Sequence, residues 1–337
     1  MAKKVKWVLV ALVAICLGWS ALWYTASFAA GAGLAKIQQR SAASGTPVSC
    51  SEQQISGYPF HMQVSCEKAV VASKRAGLTA VVDSVKSIAL LYKPGHVIAE
   101  AAGPVSIQLP QERLLGAKIL GSWKSAQASV SAGLSGLKRA SIVGQDFDFS
   151  FEKDQPQNPL DSVTLDDVQM HVRPNEETAS NYDIALSAKN IVVSRSDRSL
   201  PSIQLSLLAS ALSVGEAIDF DVESLLYAWI KSGGAMDIQS AQFDSLGFTA
   251  KASGPINVSV DGLLSGKVRV ELLNLEKLPD LVSEVSPRFR ANAEQLATTL
   301  KGFTTGNPGD PVVVTLLINK GVVSAGILPI GRIPALF

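Results

Sequence analysis

Residues 254–278 read GPINVSVDGLLSGKVRVELLNLEKL. Ile256, Val258 and Val260 alternate with Asn257 and Ser259, and Val268 and Val270 alternate with Arg269 and Glu271. A period of two places apolar side chains on one face of a strand and polar ones on the other. Asp261-Gly262 between the runs is a hairpin signal, because glycine accepts the positive φ of a tight turn. The stretch predicts two half-buried antiparallel strands.

The pattern repeats along the chain. Phe147, Phe149 and Phe151 alternate with Asp148 and Ser150. Tyr182, Ile184, Leu186 and Ala188 alternate with Asp183, Ala185 and Ser187, and Ile203, Leu205 and Leu207 with Gln204 and Ser206. VVVTLLIN (312–319) and VVSAGIL (322–328) flank Asn319-Lys320-Gly321. So many short-turn strands predict a mainly β (α+β) chain: a long, curved, mostly antiparallel sheet with a few covering helices.

Two stretches change to a helical period. Val222, Leu225, Leu226, Trp229 and Ile230 follow i, i+3, i+4, i+7, i+8, with Asp221 placed to cap the start and Gly233 the end. Leu278, Leu281, Val282 and Val285 begin a second run, continued by Phe289, Ala293, Leu296 and Leu300. Pro287 divides it, suiting the first turn of a new helix capped by Ser286. Neither polar face is rich in Lys or Arg, so these helices are expected to cover the sheet rather than lie on a membrane.

The N-terminus follows another rule. Lys3, Lys4 and Lys6 precede 29 uncharged positions, 7–35. About 20 apolar residues cross a bilayer, and Trp7 at one end with Trp23 and Tyr24 near the other suit its two interfaces. The lysines favour a cytoplasmic N-terminus. The expected layout is a transmembrane anchor at 1–35, a small, polar linker at 36–49 and a β-rich periplasmic domain at 50–337. The expected location is the bacterial inner membrane, single-pass. The rival reading is a signal peptide cleaved near Ser27-Phe28-Ala29 or Ala30-Gly31-Ala32. The long core with a tryptophan at each end favours the uncleaved anchor.

Composition agrees. The 337 residues are 47% hydrophobic and only 18% charged, with a net charge of +1. This excludes a disordered chain and a generally basic nucleic-acid binder.

Cys16 lies in the apolar helix. Cys50 and Cys66 flank SEQQISGYPFHMQVS, with Gly57-Tyr58-Pro59 in the middle. A hairpin centred on Tyr58 would set the two cysteines opposite each other, within reach of a disulfide. Two buried thiols are the alternative. An exported domain favours the bridge.

GYPFHMQVSCEKA (57–69), SIALLYKPGHVIAEAAGPVSIQLP (87–110) and ILPIGRIPALF (327–337) resemble a bacterial family, domain of unknown function twenty-one twenty-five. The resemblance covers nearly the whole chain and implies a hydrophobic N-terminal segment followed by repeated amphipathic strands. It implies no activity. GPINVSVDGLLSGKVRVELLNLEKL bears a weaker likeness to AsmA-like envelope proteins, which are associated with lipid and outer-membrane homeostasis.

The distinctive residues read as turns. Gly57, Tyr58, Pro59 and Phe60, followed by His61, suit a hairpin turn, as do Tyr92, Pro94, Gly95 and His96. A catalytic His96 would need a partner and a nucleophile, and no Gly-x-Ser-x-Gly elbow accompanies it. His61, His96 and His171 have no metal-ligand spacing. Asp166-Asp167 and Glu176-Glu177 read as solvated carboxylates. Asn257-Val258-Ser259 is a sequon within a strand. Gly233-Gly234 follows a helix instead of opening one, unlike a phosphate loop. No catalytic, cofactor or metal site is expected. The expected role is non-enzymatic, in envelope maintenance: binding lipid or another apolar ligand in a groove that a curved sheet leaves where helices cover only part of one face. The alternative is a scaffold presenting a sheet edge or helices to envelope proteins. The bilayer itself is the expected partner of the N-terminal helix.

Overall fold

A computed structural model describes the chain except residues 1, 74–76, 94, 111–116, 134–135, 153–159, 179, 196–197, 215–221, 303–309, 327 and 337. Three expected features lie outside the described residues: Pro94, the Asp221 cap and Ile327 of the last strand run.

The N-terminal segment is a single helix, α1 (Ala2–Ala43). It is long and apolar enough to cross a membrane. It runs on through most of 36–49, the stretch read as a linker. The reason is local. Ala35, Lys36, Gln38, Gln39 and Arg40 are good helix formers, and the first stop is Gly45, at φ +89°. There Gly45 N donates to Ala42 O at 3.3 Å and Thr46 N to Ser41 O at 2.9 Å. These two bonds form the Schellman cap that a left-handed residue permits. Pro47 follows, and the strands begin.

Within 50–337, the stretch read as one domain, chain contacts divide the molecule further. One compact unit comprises Met1–Ser129 with Ser150–Asn158, and the other Val130–Phe149 with Pro159–Phe337.

The first unit holds α1 and an antiparallel meander: β1 (Val48–Ser49), β2 (Glu52–Ser56), β3 (His61–Ser73), β4 (Leu78–Leu90), β5 (His96–Gln108) and β6 (Lys118–Ser122). β3 pairs with β1, β2 and β4, and β5 with β4 and β6. β7 (Ser125–Gly133) and β8 (Gly136–Glu152) carry the chain across the unit boundary, and the three alternating phenylalanines lie on β8 or just inside its end.

The second unit is a longer meander: β9 (Ser162–Pro174), β10 (Tyr182–Arg195), β11 (Arg198–Ser199), β12 (Ile203–Ala211), β13 (Ala235–Ser245), β14 (Phe248–Val258), β15 (Leu264–Leu273), β16 (Val312–Asn319), β17 (Val322–Ala325) and β18 (Leu328–Arg332). Its successive long strands pair antiparallel. The turn predicted at Asp261-Gly262 joins β14 to β15, with Gly262 at φ +71° and Ser259 N donating to Leu263 O. Lys320 and Gly321, both at positive φ, make a two-residue turn between β16 and β17. β13 bulges between Ile238 and Ala241, opposite Gly254 of β14. A Cβ on Gly254 would strike Lys267 O, and one on Gly266 would strike Pro255 O. Both positions therefore require glycine.

Three helices cover part of this unit: α2 (Val222–Lys231), α3 (Leu278–Val285) and α4 (Arg290–Gly302). α2 ends at Gly233, φ +116°, where Gly234 N donates to Trp229 O. Its Trp229 and Ile230 pack with Ala211 and Val258, and Trp229 Nε1 donates to Leu212 O at 3.0 Å. α3 and α4 are divided at Ser286-Pro287, where Ser286 is extended. A second cluster joins them to the sheet through Phe248, Leu275, Ala297 and Val312, with Leu281 and Leu300 against it. Several residues of the expected apolar faces are instead exposed, among them Leu226, Val260, Val285 and Phe289. Leu296 lies roughly 60° off the stripe through Ala293, Ala297 and Leu300, and is half exposed. Leu205 on β12 is also exposed.

Candidate functional site

Cys50 and Cys66 form a disulfide with Cα atoms 5.6 Å apart, but the hairpin register differs from the one centred on Tyr58. Cys66 faces Gln53, and Val64 faces Ile55. The turn takes four residues, Gly57 to Phe60, closed by His61 N donating to Gly57 O at 3.2 Å. The strand register is thus centred between Pro59 and Phe60, one residue and a half beyond Tyr58. Cys50 lies just before β2, between it and β1, and reaches Cys66 diagonally. Gly57 sits at φ +102°, and a Cβ on it would come within 2.5 Å of the His61 ring. Glycine is needed there on both counts.

The structure brings the two turn motifs together, a relation the sequence did not reveal. His61 pairs with Leu90, and Leu91 N donates to Phe60 O at 3.4 Å. Tyr58 and Phe60 of one turn and Tyr92 of the next are exposed at the same end of the meander. Gly95 takes φ +86° and His96 opens β5, its N–H donating to Lys93 O.

Several carboxylates of the second unit are held by neighbouring polar side chains. An open cleft of about 520 Å³ is lined by Arg139, His171, Arg173, Asp183, Ser210 and Gln239 among others. Asp183 Oδ1 accepts from Asn175 Nδ2 at 2.9 Å and Ser210 Oγ at 2.8 Å. Arg173 Nε lies 3.4 Å from Asp183 Oδ2, and Gln239 Nε2 donates to Ser210 Oγ. The Asn175 amide, then Ser210 and Arg173, hold the Asp183 carboxyl below its ordinary value against the opposing effect of burial. His171 Nδ1 lies 2.9 Å from Ser141 Oγ, and among the described residues no carboxylate is bonded to the other ring nitrogen. Asp166 accepts from Asn190, Asp167 from Gln169, and Glu176 from Arg173. Among the described residues, no three His, Cys, Asp or Glu side chains gather to hold a metal ion.

A second cleft has a different chemistry. It encloses about 380 Å³ between α3 and the strands, lined by Leu200, Pro201, Ile203, Phe243, Leu281, Val282, Val285 and Phe289 with two serines. Ser245 Oγ donates to Ser202 O at 3.0 Å, so this hydroxyl is occupied and the accessible wall is apolar. Phe243 comes from β13 and Ile203 from β12. The opposite wall is α3 and the short 3-10 turn at Pro287–Phe289. Val285 and Phe289 remain about half exposed and form an open mouth. There the Arg288 guanidinium stands 4.7 Å from the centre of the Phe289 ring, a cation–π contact.

An apolar helix, a disulfide-bridged hairpin and antiparallel meanders with helices packed on one of them define a β-rich protein with one segment able to span a membrane. The family described as "uncharacterized protein conserved in bacteria" (DUF2125) matches residues 23–334. The chain belongs to this family. The match does not extend to AsmA-like proteins. No curated protein and no solved structure matches the chain.

Proposed function

We propose that this protein is a non-enzymatic, membrane-anchored envelope protein whose exported domain binds an apolar ligand, of the acyl-chain class, in the cleft beneath α3. The observation that carries the reading is the cleft itself. Its volume lies in the ~300–1,000 Å³ range of small-molecule sites, and apart from serines its lining is apolar. An acyl chain would replace water against Phe243, Leu281 and Val285, gaining ~25 cal/mol per Å² of apolar surface buried. Arg288 at the mouth would favour an anionic head group.

The chain's own chemistry supports a location. Lys3, Lys4 and Lys6 favour a cytoplasmic N-terminus for α1, and the Cys50–Cys66 bridge suits an oxidising compartment. Together they support an inner-membrane anchor with the strands in the periplasm. Native mass spectrometry of the full chain in mild detergent tests the binding. The reading expects co-purifying lipid, and loss of it in Val285→Asp, whose half-exposed site tolerates the charge in the fold. Ligand-free wild type that also fails to take up a fluorescent fatty acid would remove the reading. Capture of an envelope protein through the exposed strand β18 would favour the scaffold alternative.

A further inference from the structure

The membrane helix and the Gly57–Phe60 turn are bonded to each other. Trp19 Nε1 donates to Pro59 O at 2.8 Å, and Trp23 Nε1 to His61 O at 3.0 Å. Ser20 Oγ and the Tyr58 hydroxyl are 2.8 Å apart. The Trp23 and Tyr58 rings meet edge to face at 5.7 Å, and those of Tyr24 and Tyr58 stack at 6.4 Å. Trp23 is consequently buried, unlike most of its helix.

This contact fixes a depth, given the proposed anchoring of α1, on which the inference rests. A helix rises 1.5 Å per residue, so Lys6 and Trp19 are about 20 Å apart along the axis. The hydrocarbon layer is about 30 Å thick. With Lys6 at the cytoplasmic surface, Trp19 reaches only part of the way across, about 10 Å short of the far boundary. A turn bonded to Trp19 and Trp23 cannot then stand clear of the lipid. We propose that the Gly57–Phe60 turn, with Tyr92 beside it, is inserted into the periplasm-facing leaflet of the bilayer.

Two independent features fit that placement. The first is the surface of the tip. Tyr58, Phe60 and Tyr92 are 52%, 65% and 69% exposed, and aromatic rings of this kind favour the membrane interface. Lys93, next in the chain, has a stem long enough to carry its ammonium to the head groups. The second is the backbone. A carbonyl in lipid must find a donor within the protein. Gly57 O accepts from His61 N and Phe60 O from Leu91 N, while Pro59 O and His61 O accept from the two indoles. The tryptophans thus supply the donors that water would give a solvated turn.

Nitroxide accessibility tests this on the full chain in nanodiscs of phosphatidylethanolamine and phosphatidylglycerol. In a Cys16→Ala background with the disulfide verified by mass, labels are placed singly by Phe60→Cys, Leu12→Cys on the helix and Val48→Cys on β1. The ratio of collisions with oxygen to those with a nickel chelate should be several-fold higher at 60 than at 48, and comparable to that at 12. Adding Trp19→Phe should lower the ratio at 60. A water-like ratio at 60 with a lipid-like one at 12 overturns the insertion and leaves the anchor standing. Water-like ratios at both overturn the anchor and the insertion together.

Discussion

Asp183 gathers an amide and a guanidinium from the end of β9 and a hydroxyl from β12, and its carboxylate is the form they stabilise. Because its value in the folded chain is lowered from 3.8, its contribution is fully present above that ordinary value. It is lost as pH falls through the lowered one. Asp183→Ala should therefore reduce stability by roughly 1 kcal/mol near neutrality, given the partial exposure of the site. The gap to wild type should close in acid, as chemical denaturation across pH will show. The Cys50–Cys66 bridge closes a short loop. Cys50→Ser with Cys66→Ser should cost about 3 kcal/mol, read as a lower denaturation midpoint that added reductant no longer changes. Gly57→Ala should disturb the hairpin, since φ +102° and the His61 ring both oppose a Cβ. A cost of about 1–3 kcal/mol is expected for such backbone strain.

At the scale of elements, period and turn chemistry made the strands legible. Val312, Val314, Leu316 and Ile318 alternate inward along β16 as their pattern requires, and Lys320-Gly321 turns the chain where glycine allowed. What was not legible has physical causes. Leu246-Gly247 also makes a two-residue turn with both residues at positive φ, but leucine gives no turn signal. The register at the cysteines depended on the number of residues the 57–60 turn consumes, which spacing alone does not fix. The helix period located α2 but not how deeply each residue lies: Trp229 is buried while Leu226 is half exposed. Trp229→Ala should therefore destabilise the second unit by about 3–5 kcal/mol. The companion Leu226→Ala should cost far less, and thermal unfolding of the two variants will rank them.

For the whole molecule, a low charge and an apolar excess have two sources: one helix long enough for a membrane, and strands whose residues are mostly half buried rather than fully enclosed. The long apolar helix and the sheet class were readable because both depend on local pattern. The apolar cleft was not, because its walls come from residues near 200, 243 and 281–289, brought together only by the meander and the break at Pro287. The same holds for the pairing of the Gly57 and Tyr92 turns. The central claim is that this cleft accepts an acyl chain. The most direct measurement is photo-crosslinking of the full chain in nanodiscs with a diazirine-bearing fatty acid, followed by peptide mapping. The account predicts adducts on 281–289 and on Phe243 or Ile203, diminished by Val285→Asp. Adducts confined to α1 and the Gly57–Phe60 turn, with the cleft unlabelled, would contradict it.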